Sequence, residues 1–368
     1  MAKIISVQIY KLNIPLIRPF ITALRRVDNI EDIVVIIHTD NNLVGYGSAA
    51  PTPVITGDSH DSIISTIKNI IAPKLISRDI ADFENILNQI QSSAINNTSA
   101  KAAVDIALYD LFAKRCNLPL YQFLGGNNNI VLSDTTISVK FVDEMVSDAK
   151  LFVSQGFKQL KIKIGLNVID DIARIKAIRD AVGNDIQICV DANQGYSVKQ
   201  ALQIINELEL ADLNLSMIEQ PVKAYDLTGL KYIRDKVHSQ IYADESCFSV
   251  RDASKIIENN IADGINIKLM KSGGIYNAQT IYALATAHNI PCMAGCMLES
   301  PIGVAAMASF VASRQNSGLI DLDPPFMIAT NPLNGGMQVD GARLILSNEA
   351  GLGIFGLGDN AEFLYEVK

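Results

Sequence analysis

The sequence predicts an α+β domain followed by an α/β domain built as a parallel (β/α) barrel. Three observations carry this. Strands and helices are segregated over residues 1–125 and alternate beyond them. The alternating part repeats a short apolar run and a helical stretch about every 25 residues, which leaves room for eight units. The apolar runs also end, one after another, in charged residues. An open doubly wound sheet shows the same alternation. The barrel is favoured because eight units fit and no Gly-rich phosphate turn follows the first strand.

Composition narrows the function classes. A chain of 368 residues can hold more than one domain and a large core. Hydrophobic content of 49% and charged content of 19% are those of a globular protein. A net charge of −8 argues against a nucleic-acid-binding surface. The longest apolar runs, such as GVAAMASFVAS from Gly303, are too short to cross a bilayer. The first residues lack a signal-peptide core. Cys116, Cys189, Cys247, Cys292 and Cys296 form no CxxC pair and read as reduced thiols of a cytoplasmic protein. His38, His60, His238 and His288 do not cluster in sequence. Acid–base chemistry therefore falls to Lys, Asp or Glu. The sequence sets no oligomeric state, and a homo-oligomer is compatible with it.

Taken in order, KIISVQIYKLNI and DIVVIIHTDNNLVGYG read as antiparallel strands, the second turning at Asn41-Asn42. SIISTIKNIIAPKL, ISRDIADFENILNQIQSS and SAKAAVDIALYDLFAKRCN carry helical periodicity. The barrel strands are DTTISV (134–139), QLKIKI, IQICVDAN, LSMIEQ, IYADES, GINIKL, PCMAGCMLES and LIDLD. Segments such as DDIARIKAIRDAV and VKQALQIINELEL are the helices between them. The tail GGMQVDGARLILSNEAGLGI reads as strands and turns that return to the N-terminal domain. The expected domains are 1–125 completed by 336–368, and the barrel over 126–335.

The strand ends carry the chemistry. The second strand ends in Lys161 and Lys163, the third in Asp191 and Asn193, and the fourth in Glu219. The fifth ends in Asp244 and Glu245, the sixth in Lys268, and the eighth in Asp321 and Asp323. In a parallel barrel these ends converge on one open face. Buried charge is costly unless paired or bound to metal, so this is a site rather than scattered surface charge. Eight strands stand about 45° apart, which sets the second opposite the sixth and the fourth opposite the eighth. Lys163 and Lys268 then face each other. Asp191, Glu219 and Asp244 occupy the three strands between, as hard oxygen ligands suited to Mg²⁺. Ordinary salt bridges at the mouth are the plainer alternative. A metal beside two opposed lysines suits removal of a proton α to a carboxylate and its return to the other face, which inverts the carbon. Positive charge and desolvation favour the neutral amine that a lysine base needs, and Lys161 and the metal supply the charge.

As an ordered set, KIKIG, DANQGY, IEQP, ADES, NIKLMKSGG and GCMLES resemble the muconate-lactonizing subgroup of the enolase superfamily. AAVDIALYDLFAKRCNLPLYQFLGG also resembles its N-terminal domain, so the likeness runs along essentially the whole chain. The resemblance implies a (β/α)7β TIM-like barrel with an α+β N-terminal capping domain. It implies Lys163 and Lys268 as the two acid/bases, and Lys161 as a holder of the substrate carboxylate. It also implies Asp191, Glu219 and Asp244 as ligands of one Mg²⁺ per subunit. DLD, with Asp321 and Asp323, resembles the DxD motif of dipeptide epimerases. A period of two puts both aspartates on one face, opposite the metal side, where they call for a cation such as a dipeptide's α-ammonium. A hydrogen-bonded pair closing the barrel is the alternative. The stretch RPFITALRRVDN (18–29) resembles the family's mobile specificity loop. There Arg25 matches the position that binds a glutamate side chain, with Arg26 as its competitor and a solvated basic turn as the plainer reading. Thr136, Cys296 and Leu298 match positions that line the dipeptide pocket. Cys296 is not expected to be a nucleophile, since no histidine sits at a comparable strand end. The implied activity is Mg²⁺-dependent epimerisation of the C-terminal residue of a dipeptide, with L-Ala-L-Glu/L-Ala-D-Glu first. N-acylamino acid racemisation, o-succinylbenzoate synthesis and muconate cycloisomerisation are the alternatives.

Overall fold

A computed structural model describes residues 2–22, 25–314 and 317–368. In the N-terminal region the first strand runs further than its pattern suggests. β1 (Ile4–Ile21) pairs antiparallel with β2 (Arg26–Thr39) as one long hairpin. The chain turns at Asn42, with φ of 65°, into β3 (Val44–Ala49). Helices follow at His60–Thr66, which continues through a π turn (Ile67–Ile71) into Ala72–Leu75, then at Phe83–Gln91 and Thr98–Arg115. The second expected helix is half its expected length. Residues 77–80 instead hydrogen-bond to the start of β1, through Ser77 N to Ile4 O and Ile80 N to Ala2 O. Strand pairing there outcompetes helical propensity. Helix Thr98–Arg115 packs so close to β3 that a Cβ on Gly47 would lie 1.9 Å from Ala103 O.

All eight apolar runs form barrel strands. They are β5 (Thr135–Ile137), β6 (Gln159–Lys163), β7 (Gln187–Asp191), β8 (Leu215–Glu219), β9 (Ile241–Ala243), β10 (Gly264–Ile267), β11 (Cys292–Gly295) and β12 (Ser317–Asp321). A three-residue strand, β4 (Ile130–Leu132), precedes them. β5 to β12 lie parallel and in sequence order. Asp134 N donates to Ile320 O at 2.8 Å, which draws the first strand against the last. Long helices follow the first seven strands, but only the short Pro324–Met327 turn of helix follows β12. The barrel is therefore (β/α)7β.

The tail forms β13 (Leu333–Gly335), β14 (Gln338–Asp340), β15 (Arg343–Ile345), β16 (Ile354–Leu357) and β17 (Ala361–Val367). β17 pairs antiparallel with β1, and β15 pairs with β14 and β4. One apolar core surrounds the barrel and continues into the N-terminal sheet and helices. Inside the barrel the lining differs by level. Cys189, Met217, Tyr242 and Met293, with Leu319, plug the lower end. Charged side chains fill the level above. Among the described residues, no helix is long and apolar enough to cross a membrane.

Candidate active site

Two-residue periodicity and parallel register place the functional groups. Lys161 lies beside Cys189 and Thr136, Lys163 beside Asp191, and Asp191 beside Glu219. The carboxylates therefore stand on neighbouring strand ends, as expected, and Lys163 and Lys268 come from opposite sides. Both lysines are nearly enclosed, 6% and 5% exposed. Gly295 in β11 makes room for one of them, since a Cβ there would sit 2.9 Å from Lys268 Cε.

Ion pairs organise this layer. Lys161 is fully buried, 3.1 Å from Asp191, 2.6 Å from Glu219 and 2.6 Å from Asp321. Lys163 pairs with Asp191 at 2.7 Å and Lys268 with Asp244 at 2.7 Å. Charge follows the pairing. Burial alone would raise the Asp191 and Asp244 carboxyls, but the lysines outweigh it and hold both well below the usual carboxylate range. Burial would lower Lys268, but Asp244 and Glu219 outweigh it and keep its ammonium above an ordinary lysine. Lys161 behaves likewise, with Asp321, Glu219 and Asp191 overriding burial. Its ammonium bridges these three carboxylates.

Asp321 ends β12, and Asp323 caps the short helix that follows; their surroundings differ. Asp321 binds Lys161 and is held below the usual range, with burial opposed by Lys161, Lys163 and Lys268. Asp323 accepts from Thr136 N at 2.9 Å, and burial and Asp321 push it up to about 6. Cys296 follows β11, with its thiol 3.4 Å from Asp321 O. Burial and the neighbouring Glu299, Asp321 and Asp323 push that thiol well above its ordinary value, which fits the expectation that it is no nucleophile. Leu298 is half-buried.

The hairpin tip reaches the same face. Ile21 N donates to Ser138 Oγ at 3.1 Å, and Val139 N donates to Ile21 O at 3.3 Å. Arg25 follows, half-buried, with its backbone joined to Thr22. Burial lowers its guanidinium pKa. Arg26 is exposed and pairs with Asp28 at 3.0 Å. Ala23 and Leu24, in the middle of the expected specificity loop, lie outside the described residues.

Several functional neighbours escaped sequence reasoning. Lys271 is 1% exposed, 2.5 Å from Asp244 Oδ1, and donates to Asn266 O at 2.8 Å. It stands three residues after Lys268 in KLMKSGG, a spacing that offered the signal. Asn266 donates to Glu219 at 2.6 Å and shares a strand face with Lys268. Glu245, already named at the fifth strand end, is raised to about 8 by burial and by Asp244 and Asp191.

The carboxylates fit a divalent cation. Among the described residues, no three metal-ligating side chains stand preassembled. The lysines lie between the acids instead. Yet Glu219 Oε2 and Asp244 Oδ1 are buried without hydrogen-bond geometry, although ammonium groups lie near both. Burial and the charge of Asp191 raise Glu219 to about 7. Hard oxygen donors that repel one another and keep unused lone pairs suit a cation such as Mg²⁺.

A buried layer of lysines and carboxylates at the C-terminal end of such a barrel defines a class. The chain belongs to the mandelate racemase/muconate-lactonizing group of the enolase superfamily. It matches the enolase C-terminal domain-like family over residues 144–355. It matches the mandelate racemase/muconate lactonizing enzyme N-terminal domain over residues 4–125. Within that group it is 45% identical over 348 residues to an L-Ala-D/L-Glu epimerase of Clostridium acetobutylicum, covering 95% of this chain and 97% of that protein. A substrate-liganded L-Ala-D/L-Glu epimerase of Bacillus subtilis superposes with a TM-score of 0.95 at 44% identity, covering 97% and 99% of the two chains. An Enterococcus faecalis dipeptide epimerase, complexed with Mg and L-Leu-L-Tyr, gives 0.93 at 40% identity, covering 96% and 100%.

Proposed function

We propose that this protein is a dipeptide epimerase that inverts the α-carbon of the C-terminal residue, with L-Ala-L-Glu and L-Ala-D-Glu as its substrate pair. The observation that carries the reading is Lys163 on β6 and Lys268 at the end of β10, two buried cations on opposite walls of one mouth. In one direction the amine of Lys163 takes the α-proton as the C–H bond breaks. The Lys268 ammonium delivers a proton to the other face as the new C–H bond forms. The reverse direction exchanges these roles. Lys268 is held as an ammonium, the form a proton donor needs. Asp191, Glu219 and Asp244 would hold Mg²⁺, which when bound would draw charge from the substrate carboxylate and acidify the α-C–H. Asp321 and Asp323 receive the α-ammonium, which tells a free dipeptide from an N-acylated amino acid. Arg25 is the better candidate for the glutamate side chain, because Arg26 is engaged by Asp28. Residues 1–125 with 336–368 act as the cap over the 126–335 barrel.

Incubation of the purified chain with L-Ala-L-Glu and Mg²⁺ in D₂O tests this by NMR. The expected result is loss of the C-terminal α-proton signal and growth of the L-Ala-D-Glu resonances. No exchange across a panel of acidic, apolar and cationic dipeptides would overturn the reading. Exchange in N-acylamino acids alone would favour the racemase alternative.

A further inference from the structure

Asp134 is 1% exposed, and among the described residues neither of its carboxyl oxygens has a hydrogen-bond partner. It stands one residue before β5 and two before Thr136, on the strand face that lines the barrel. Asp134 and the preceding Ser133 are tied to the residues on either side of Asp321. Asp134 N donates to Ile320 O at 2.8 Å, and Leu322 N donates to Ser133 Oγ at 2.8 Å. The groups that face the Asp134 carboxyl are Asp321 from β12, Asp323 two residues beyond it, Lys161 from β6 and Cys189 from β7. Among these groups Asp321 acts on it most strongly. Lys161 directs its ammonium to Asp191, Glu219 and Asp321.

Two neighbouring carboxyls buried inside a barrel cannot both ionise at low cost. One shared proton turns their repulsion into a short, charge-assisted hydrogen bond. Asp321 is the partner that keeps its charge, because Lys161 stabilises it. Burial and the charges of Asp321 and Asp323 push Asp134 well above the ordinary aspartate range.

We propose that Asp134 is a positioning residue of the ammonium subsite: protonated, it donates to Asp321 and holds that carboxylate aimed between Lys161 and the substrate's α-ammonium. The proposal rests on reading Asp321 as an ammonium-binding residue, and it adds the group that orients it.

Asparagine keeps a donor of the same shape and cannot ionise. Leucine keeps the volume and loses the donor. In the full-length protein with Mg²⁺, Asp134→Asn should keep the dipeptide KM within a few-fold. Asp134→Leu should raise KM on the order of tenfold, the worth of one hydrogen bond to a charged group, with a smaller change in kcat. A merely structural role would not separate KM from kcat in this way. The infrared spectrum reads the proton itself. The wild type at pH 8 should show a neutral carboxylic-acid band that Asp134→Asn lacks. That measurement needs neither turnover nor a folded leucine variant, so it stands even if no dipeptide reacts. No band lost in Asp134→Asn, or an asparagine variant as impaired in KM as the leucine variant, overturns the proposal.

Discussion

The barrel mouth and the seam between cap and barrel both bury carboxyl groups, but they stabilise them differently. At the mouth, Asp191, Asp244 and Asp321 have lysine partners and are held ionised. At the seam, Arg18 of β1 pairs with Asp148 at 2.8 Å, but among the described residues no cation pairs with Asp32 or Asp105. Asp32 on β2 accepts from Ser300 N at 2.7 Å, where helix Pro301–Ala312 begins. Asp105 on the cap helix accepts from Ile275 N at 2.6 Å, at the start of helix Ile275–Ala287. The cap thus docks by setting two acids at the N-termini of two barrel helices, where backbone N–H groups are free and the dipole is favourable. Those partners do not offset burial. Asp32 is raised to about 7, Glu299 beside it to about 8 by burial and then Asp32, and Asp105 well above its ordinary value. Burial alone does not decide whether an acid is charged; the balance of neighbouring charge does, and Glu219, 2.6 Å from Lys161 but beside Asp191, is still raised to about 7. The mouth keeps charge available for chemistry, and the seam keeps its acids near neutrality as glue.

The largest effect should come from the cations with a chemical task. Lys163→Ala and Lys268→Ala should each slow epimerisation by about 10²–10⁴-fold, the usual worth of a positioned acid–base group. Each variant should still exchange the α-proton of one epimer in D₂O, and a different epimer in each case. Exchange of both epimers by either variant would mean that a single base serves both faces.

Next comes the cation with a structural task. Lys161→Met strips the common partner from Asp191, Glu219 and Asp321. Breaking a buried pair in this way costs about 3–5 kcal/mol, readable in urea unfolding. The matching change at the seam, Asp32→Asn, removes a charge that nothing there requires. A Lys161→Met loss no larger than that of Asp32→Asn would erase the distinction between the two regions.

The seam should show itself through pH. Asp32 moves from 3.8 in its ordinary state to about 7 when folded, and Glu299 from 4.5 to about 8. Between those values the folded chain binds protons that the unfolded chain has released. Stability from these groups is therefore full below about pH 4 and falls as pH rises toward 7 or 8, by at most about 1.4 kcal/mol per pH unit per group. At the mouth, Asp191, Asp244 and Asp321 tilt the other way: their stabilisation is present above their unfolded values and is lost in acid, whereas Glu219, Asp323 and Glu245, raised by burial, tilt as the seam does. Urea midpoints measured from pH 5 to pH 8 should fall for the wild type and flatten in Asp32→Asn. An identical slope in that variant would place the titration elsewhere.

Much of the mouth was legible because strand periodicity and barrel closure turn sequence order into angular position. Eight apolar runs gave the walls, and the six with named charged ends gave the facing lysines and the three adjacent acids. The bridge that Lys161 makes to three carboxylates was not legible, because Asp321, which completes it, lies 160 residues away in sequence. Lys271 was hidden by a change of element. It sits on the short helix Leu269–Ser272, where strand periodicity no longer applies, although Lys268 does lie at the strand end. The seam was illegible for a further reason. Asp32 and Asp105 look like ordinary polar positions in a strand and a helix, and only docking of the two domains buries them.

The smallest expected change concerns a side chain lying between the two regions. Cys296 has Glu299 of the seam on one side and Asp321 and Asp323 of the mouth on the other. Burial and those acids favour the thiol over the thiolate, and only the thiolate alkylates. Lys268 works in the opposite direction, yet its charge is already taken by Asp244. Buried Cys189, Cys247 and Cys292 are likewise raised, whereas Cys116 is exposed. Iodoacetamide applied to the native chain at pH 8 should therefore mark Cys116 and leave Cys296 unmodified by peptide mass spectrometry. Rapid labelling of Cys296 would show a thiolate at the mouth, and with it a local field more positive than the carboxylates described here allow.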